Sequence, residues 1–352
     1  MERREPGRSG IRVSAFGLGV MTFGGQTPKA DALRQLDMAH DAGITLFDTA
    51  ENYPTPLCAE TQGASERILG EWVRTRGLAG KVVIATKVAG PGKLAAGDID
   101  YIRGPGRRLD RANLRAALDA SLARLGVERI DLYQVHWPDR AVSTAGRARF
   151  SALPADPDEV PIGETLHALA ELVDEGRIGA IGLCNETPWG TMRWLALAEA
   201  QGWPRGGSLQ NGHSLIHRSL ELGLAEVPMR EGLGLIGYSP LAAGTLTGKY
   251  GTAPAPLPGS RSASSPAMLA RMLSPARLAA VQAYAALARA HGLEPAHMAL
   301  AFAAQQPFMA SVLMAASTAD QLSANLRAVD LRLPAELVKA INAIHDAQPN
   351  PR

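Results

Sequence analysis

Short apolar, β-rich runs alternate with longer amphipathic stretches along the whole chain, and this alternation constrains the fold more than any other feature of the sequence. Eight such runs stand out: FGLGV at 16–20, ITLFDTA at 44–50, KVVIATKV at 81–88, IDLYQVHW at 130–137, IGAIGLCN at 178–185, GSLQNGH at 207–213, LGLIGYSP at 233–240 and SVLMAAS at 311–317. Repeated strand–helix units demand a parallel sheet, and eight strands are the number that closes such a sheet on itself. The expected architecture is therefore α/β, a single (β/α)8 TIM barrel.

Helical patterns fill the intervals near 29–42, 64–77, 110–126, 162–176, 188–202, 217–231, 276–291, 295–306 and 318–328, and 333–347 reads as a C-terminal capping helix. In the 110–126 stretch, Asp110 is placed to cap the N-terminus and Gly126 to stop the helix, while Leu114, Ala117, Leu118, Leu122 and Leu125 share one stripe. The alternation never breaks into two blocks, so residues 1–352 read as one barrel domain. Three long Gly/Pro/Ser-rich connections, 89–109, 138–161 and 241–275, each follow the C-terminal end of a predicted strand. Barrel active sites are built from loops at that face, so these are the expected walls of a site.

Composition narrows the function classes. A formal charge of +2 with 20% charged residues gives no field strong enough to hold nucleic acid. No apolar run is long enough for a signal peptide or a membrane span, so no membrane partner is expected and the chain is expected in the cytoplasm. The only cysteines, Cys58 and Cys184, lie far apart in unlike contexts, which offers neither a disulfide framework nor a CxxC metal site.

In a closed barrel the C-terminal strand ends converge on one mouth, so polar residues at the ends of different apolar runs meet in space. Asp48 ends ITLFD, with Tyr53 five residues on; Lys87 ends VVIATK; His136 ends DLYQVH. Singly, each has a structural reading as a cap or a buried hydrogen-bonding group. Together they describe a reaction. A tyrosine titrates near pH 10, too high for efficient proton donation at neutral pH, and a neighbouring ammonium favours the phenolate. Lys87 supplies that cation, Asp48 compensates it, and His136 shares a carbonyl oxygen through a ring N–H. The missing component is a hydride, which a barrel without metal ligands borrows from a cofactor. GLGVMTFGG at 17–25 is glycine-rich but lacks the G-x-G-x-x-G spacing, and we read it as the first strand and a turn.

At this point the residues amount to a family resemblance. FDTAENYP (47–54), ATKV (85–88), DLYQVHWPD (131–139), GLCNE (182–186), LQN (209–211), YSPLAAGTLTGKY (238–250) and ASTADQLSANL (316–326) resemble, in order, the motif set of the aldo-keto reductases. Within that family AENYPTPLCAETQGASERILGEWV (50–73) is similar to the loop of the Tas-type bacterial members, and the chain is more distantly similar to the potassium-channel β subunits. The resemblance implies NADPH-dependent reduction of an aldehyde or ketone, with Tyr53 as general acid and Asp48, Lys87 and His136 completing a tetrad. It also implies a site for NADP(H). Asn185 and Gln210 match residues that bind the nicotinamide amide, and Tyr238 matches the ring on which the nicotinamide stacks.

Ser239, Pro240, Leu241, Gly244 and Lys249 fall in the implied pyrophosphate loop, and Gly19, Met21 and Asp48 line the same cofactor. Arg261, Ser317, Gln321 and Asn325 match the pocket for the 2′-phosphate and adenine, which favours NADP(H) over NAD(H). Three positions depart from the pattern: Cys184 stands where relatives carry serine, Ala315 replaces a glycine, and Ala324 replaces an acidic residue. The substrate wall is expected from loops 50–64 and 138–161 with Trp137, Phe150 and Trp189. Two rival readings have discriminating features. A metal-dependent hydrolase needs an H-x-H pair or further strand-end carboxylates, which the sequence lacks; a nucleotide-sensing binding protein would bind NADPH without oxidising it. No metal is expected, and oligomeric partners are left open.

Overall fold

A computed structural model describes residues 1–91, 99–142, 156–251, 257, 260, 263, 270 and 272–351. A short antiparallel hairpin, β1 (Arg3–Arg4) with β2 (Val13–Ser14), precedes eight parallel strands: β3 (Phe16–Gly19), β4 (Leu46–Asp48), β5 (Val83–Val88), β6 (Ile130–Val135), β7 (Ile178–Cys184), β8 (Ser208–Gly212), β9 (Gly234–Tyr238) and β10 (Met309–Met314). The order is β10-β3-β4-β5-β6-β7-β8-β9, and β10 pairs with both β3 and β9, so the sheet is a closed barrel of the TIM type.

Outside it run α1 (Lys29–Asp41), α2 (Ala64–Thr75), α3 (Arg111–Leu125), α4 (Ile162–Asp174), α5 (Pro188–Gln201), α6 (Glu226–Glu231), α7 (Pro275–Ala290), α8 (Pro295–Ala304), α9 (Ala319–Leu326) and α10 (Ala335–Ala347). Local chemistry explains their ends. The Asp110 carboxylate accepts from the Asn113 N–H at 2.9 Å at the start of α3, and Gly126 ends that helix at φ 66°, a left-handed conformation that glycine takes without steric cost. Leu337 and Ile341 of α10 pack with Val281 and Tyr284 of α7 and Phe302 of α8, so the last helix covers the barrel's outer layer.

Strand periodicity sorts the barrel interior into layers. Leu46, Ala85, Leu132, Ala180, Ile236 and Leu313 point inward and meet as one apolar cluster, with Val13 of the hairpin among them. Arg4 holds that hairpin in place, donating to the carbonyls of Ala304 and Met309, each at 2.9 Å. The hairpin is absent from the sequence reading because strands of two residues carry no period. The expected helix at 217–231 is also different: a turn of 3₁₀ helix at Ser219–Glu221 and the separate α6 flank Gly223, whose φ of 108° interrupts a helix. The last strand runs Met309–Met314 rather than 311–317, which leaves Ser317 in the turn before α9. Among the described residues no helix is long and apolar enough to cross a membrane.

Candidate active site

The residue two positions beyond each inward apolar residue also points inward, one layer nearer the mouth. From Leu46, Ala85 and Leu132 this step leads to Asp48, Lys87 and Gln134, and the three interlock. Asp48 is 3% exposed. One of its oxygens accepts from Lys87 Nζ at 2.5 Å; the other accepts from the amides of Gln134 at 3.0 Å and Gln210 at 2.8 Å. Lys87 is wholly buried and also donates to the Thr49 carbonyl at 2.8 Å. Burial opposes its charge, but Asp48 first and then Tyr53 outweigh that opposition and hold the ammonium above the usual lysine range. Buried charge is tolerated here because both Asp48 oxygens accept hydrogen bonds and the Lys87 ammonium donates two.

Gln134 was not singled out in the sequence. Its signal was the alternation in DLYQVH, where Leu132, Gln134 and His136 are in phase. Gly182 on the adjoining strand makes room for it, since a Cβ there would lie 2.7 Å from Gln134 Cγ.

Tyr53 and His136 complete the centre. Lys87 Nζ lies 5.3 Å from the Tyr53 ring centre, and the Tyr53 and His136 rings meet edge to face with centroids 5.6 Å apart. Burial, and secondarily the Lys87 charge, push the His136 imidazole well below its ordinary range, so it is neutral at physiological pH. Its Nδ1 is buried and finds no partner among the described residues. A neutral ring with its hydrogen on Nε2 would leave no buried N–H unpaired.

These residues open into a cavity of about 850 Å³ that reaches from the strand ends to α9. Gly19, Met21, Asp48, Tyr53, His136, Asn185, Gln210, Tyr238, Ser239, Pro240, Leu241, Gly244, Lys249, Ser317, Gln321 and Asn325 all line it. Lys87 stands behind the wall, and Arg261 and Phe150 lie outside the described residues. Asn185, at φ 57°, ties the end of β6 to β9: its amide donates to the His136 carbonyl at 2.8 Å and its oxygen accepts from the Tyr238 hydroxyl at 2.7 Å. Gln210 faces the cavity with its amide nitrogen already bonded to Asp48 and Gln134. Burial pushes the Cys184 thiol up to about 12, so it is neutral beside Asn185 and Gln210.

After β9 the chain turns through positive φ at Ser239, Ala242, Ala243 and Gly244, with the Lys249 ammonium 3.2 Å from the point where a Cβ on Gly244 would sit. At the far end Thr318 caps α9 through its hydroxyl, and the Ser317 N–H donates to Gln321 Oε1 at 3.1 Å. Glu294, His297 and Arg327 also line that end and were missed. They arrive through the packing of α8 on α9, where the His297 ring bonds the Ala324 carbonyl at 2.8 Å, and no short motif announces such a contact. Trp189 is 64% exposed, with the Arg140 guanidinium 5.0 Å from its ring centre. Among the described residues no group of three His, Cys, Asp or Glu side chains is placed to hold a metal ion.

Comparison with known proteins gives a consistent result. The model of the aldo/keto reductase family matches residues 15–346. The chain is 45% identical over 345 residues to Protein tas of Escherichia coli (strain K12), covering 97% of both chains. It is 31% identical to the uncharacterized oxidoreductase YrpG of Bacillus subtilis (strain 168), covering 98% of this chain and 96% of that one. A probable voltage-gated potassium channel subunit beta from Oryza sativa subsp. japonica is 29% identical, with 99% of this chain and 98% of that one aligned.

Proposed function

The chain belongs to the aldo/keto reductase family, and from that premise we propose that it is an oxidoreductase reducing aldehyde or ketone carbonyls to alcohols with NADPH, Tyr53 acting as general acid. The observation that carries the reading is the buried Lys87 ammonium 5.3 Å from the Tyr53 ring, with a neutral His136 ring meeting the same ring edge to face.

The cavity suits an extended dinucleotide. Amide groups of Asn185 and Gln210 and the Tyr238 ring lie at its inner end, Gly244 and Lys249 in the middle, and Ser317, Gln321 and Asn325 at the outer end. These residues would hold the nicotinamide, the pyrophosphate and the adenosine in that order, with Arg261 serving the 2′-phosphate. When bound, NADPH supplies the hydride received by the carbonyl carbon.

Everything else falls to side chains of this protein. Tyr53 gives its phenolic proton to the carbonyl oxygen. Lys87 favours the phenolate left behind, and Asp48 keeps Lys87 charged inside the barrel. His136, neutral and protonated on Nε2, donates a hydrogen bond to the same oxygen and orients it. Cys184 takes no nucleophilic part, because a thiol raised to about 12 stays protonated.

The test is NADPH fluorescence followed in a stopped-flow instrument against a panel of aldehydes, dicarbonyls and quinones. The proposal expects oxidation by at least one class. Tight NADPH binding with no oxidation by any of them would overturn it in favour of a nucleotide-sensing protein.

A further inference from the structure

We propose that Glu51 and Arg103 form a positioning clasp for the general acid, fixing the Tyr53 loop against the strand that carries Lys87 and against the segment packed beside His136. The inference rests on the reading of Tyr53 as the proton donor.

Glu51 lies three residues after Asp48 and two before Tyr53, and its side chain is 1% exposed. A carboxylate taken that far from water must be compensated, and this one is compensated from two directions. Arg103 grips both oxygens, with the Nη2 contact to Oε1 at 2.8 Å, and the Ala89 N–H donates to Oε1 at 2.6 Å. Ala89 is two residues beyond Lys87. The Glu51 backbone repeats the connection, its N–H donating to the Lys87 carbonyl at 3.2 Å while its carbonyl accepts from the Gln62 amide. Through one residue, the loop carrying the phenol is bonded to the strand carrying the ammonium.

Arg103 brings in the other partner. Ile99 and Ile102, just before it, pack with Ala89, with Leu57 on the Tyr53 loop and with Trp137, whose ring centre is 4.8 Å from that of His136. Arg107 closes the same segment from within, donating to the carbonyls of Gly90, Ile99 and Ile102. Arg103 itself adopts φ 58°, a conformation a non-glycine residue keeps only where its surroundings enforce it. A buried ion pair is poor evidence of stability, since apolar side chains of similar volume often serve that end as well. Its bidentate geometry does, however, fix direction and distance, which proton transfer requires.

The decisive variants are Glu51→Gln, which keeps the shape and removes the charge, and Arg103→Lys, which keeps the charge and removes the fork. A displacement of about 1 Å at a reacting group lowers rate by up to roughly 100-fold. For Glu51→Gln we therefore expect kcat to fall about 10- to 100-fold while the NADPH dissociation constant stays within about twofold, and Arg103→Lys to fall between it and the parent protein. The alkaline limb of the kcat profile should move to higher pH in both, because a phenol drawn away from the Lys87 ammonium releases its proton less readily. A merely structural pair would leave that limb where it is. Folded Glu51→Gln with the parent rate and an unshifted profile would overturn the clasp, as would rate and NADPH affinity falling together with no shift. Should Glu51→Gln fail to fold, Arg103→Lys is read by the same criteria. Tyr53→Phe separates the two levels: if it turns over normally, the acid assignment fails; if it is inactive while Glu51→Gln matches the parent, the clasp alone is rejected.

Discussion

Around Tyr53 the charged side chains are buried and bonded to one another, whereas elsewhere along the same cavity several polar side chains stand at the surface, with Asn325 of α9 the buried exception. On the first side, Asp48 holds Lys87 at 2.5 Å and Glu51 is held by Arg103, with both carboxylates almost fully enclosed. On the second, Gln321, Arg327 and Lys249 are exposed, and Lys249 follows a turn with positive φ at Ser239, Ala242, Ala243 and Gly244. The difference matches the division of labour proposed for the two sides. A proton donor acts at one distance and angle, in surroundings that cannot reorganise, and paired buried charges provide such surroundings. A site that takes up and releases a large polar cofactor needs groups that water can solvate between visits.

If that contrast is right, substitutions on the two sides should separate stability from affinity. The largest effect is expected for Lys87→Met, which leaves the Asp48 carboxylate buried with no cation; breaking such a pair costs about 3–5 kcal/mol, and thermal unfolding together with turnover should show both stability and activity lost. A variant that melts like the parent would dissolve the distinction. On the cofactor side, Arg261→Ala and Gln321→Ala should each weaken NADPH binding about tenfold, equivalent to about 1.4 kcal/mol, with no change in melting temperature. For Arg261→Ala the loss should be selective for NADPH over NADH, and equal losses would remove its 2′-phosphate role.

A smaller effect concerns pH. Burial, then the Lys87 charge, hold the His136 imidazole well below its ordinary value of 6.5, so below that pH the unfolded chain takes up a proton that the folded protein refuses. Stability contributed at this position is therefore complete above pH 6.5 and declines as the pH falls, by at most about 1.4 kcal/mol per pH unit. His136→Gln should lose its share of that slope in melts between pH 7 and about pH 5; an unchanged slope would show that the ring is not held neutral.

Much of the barrel was legible because parallel strands, buried on both faces, write themselves as apolar runs, and because Asp110 and Gly126 mark helix ends with residues suited to no other task there. The hairpin at Arg3–Arg4 was too short to have a period, and Gly223 divided a stretch that looked continuously helical. In the site, Asp48, Lys87 and His136 could be found by their place at strand ends. Gln134 has that same phase but no charge to draw attention. Glu51 and Arg103 are separated by 52 residues, and nothing in either neighbourhood says which arginine a buried glutamate will meet. The groups on α9 were reached through family resemblance, while Glu294, His297 and Arg327 depend on how α8 packs against α9, a tertiary fact without a local signature.

The proposed reaction turns on proton donation by Tyr53, and single-turnover reduction of a reactive aldehyde by NADPH-loaded Tyr53→Phe examines it directly. General acid catalysis contributes about 10²- to 10⁴-fold, so the rate of NADPH oxidation should fall by at least about 100-fold while fluorescence titration returns the parent affinity for NADPH. Oxidation at the parent rate, with the phenol gone and the cofactor bound, would contradict it.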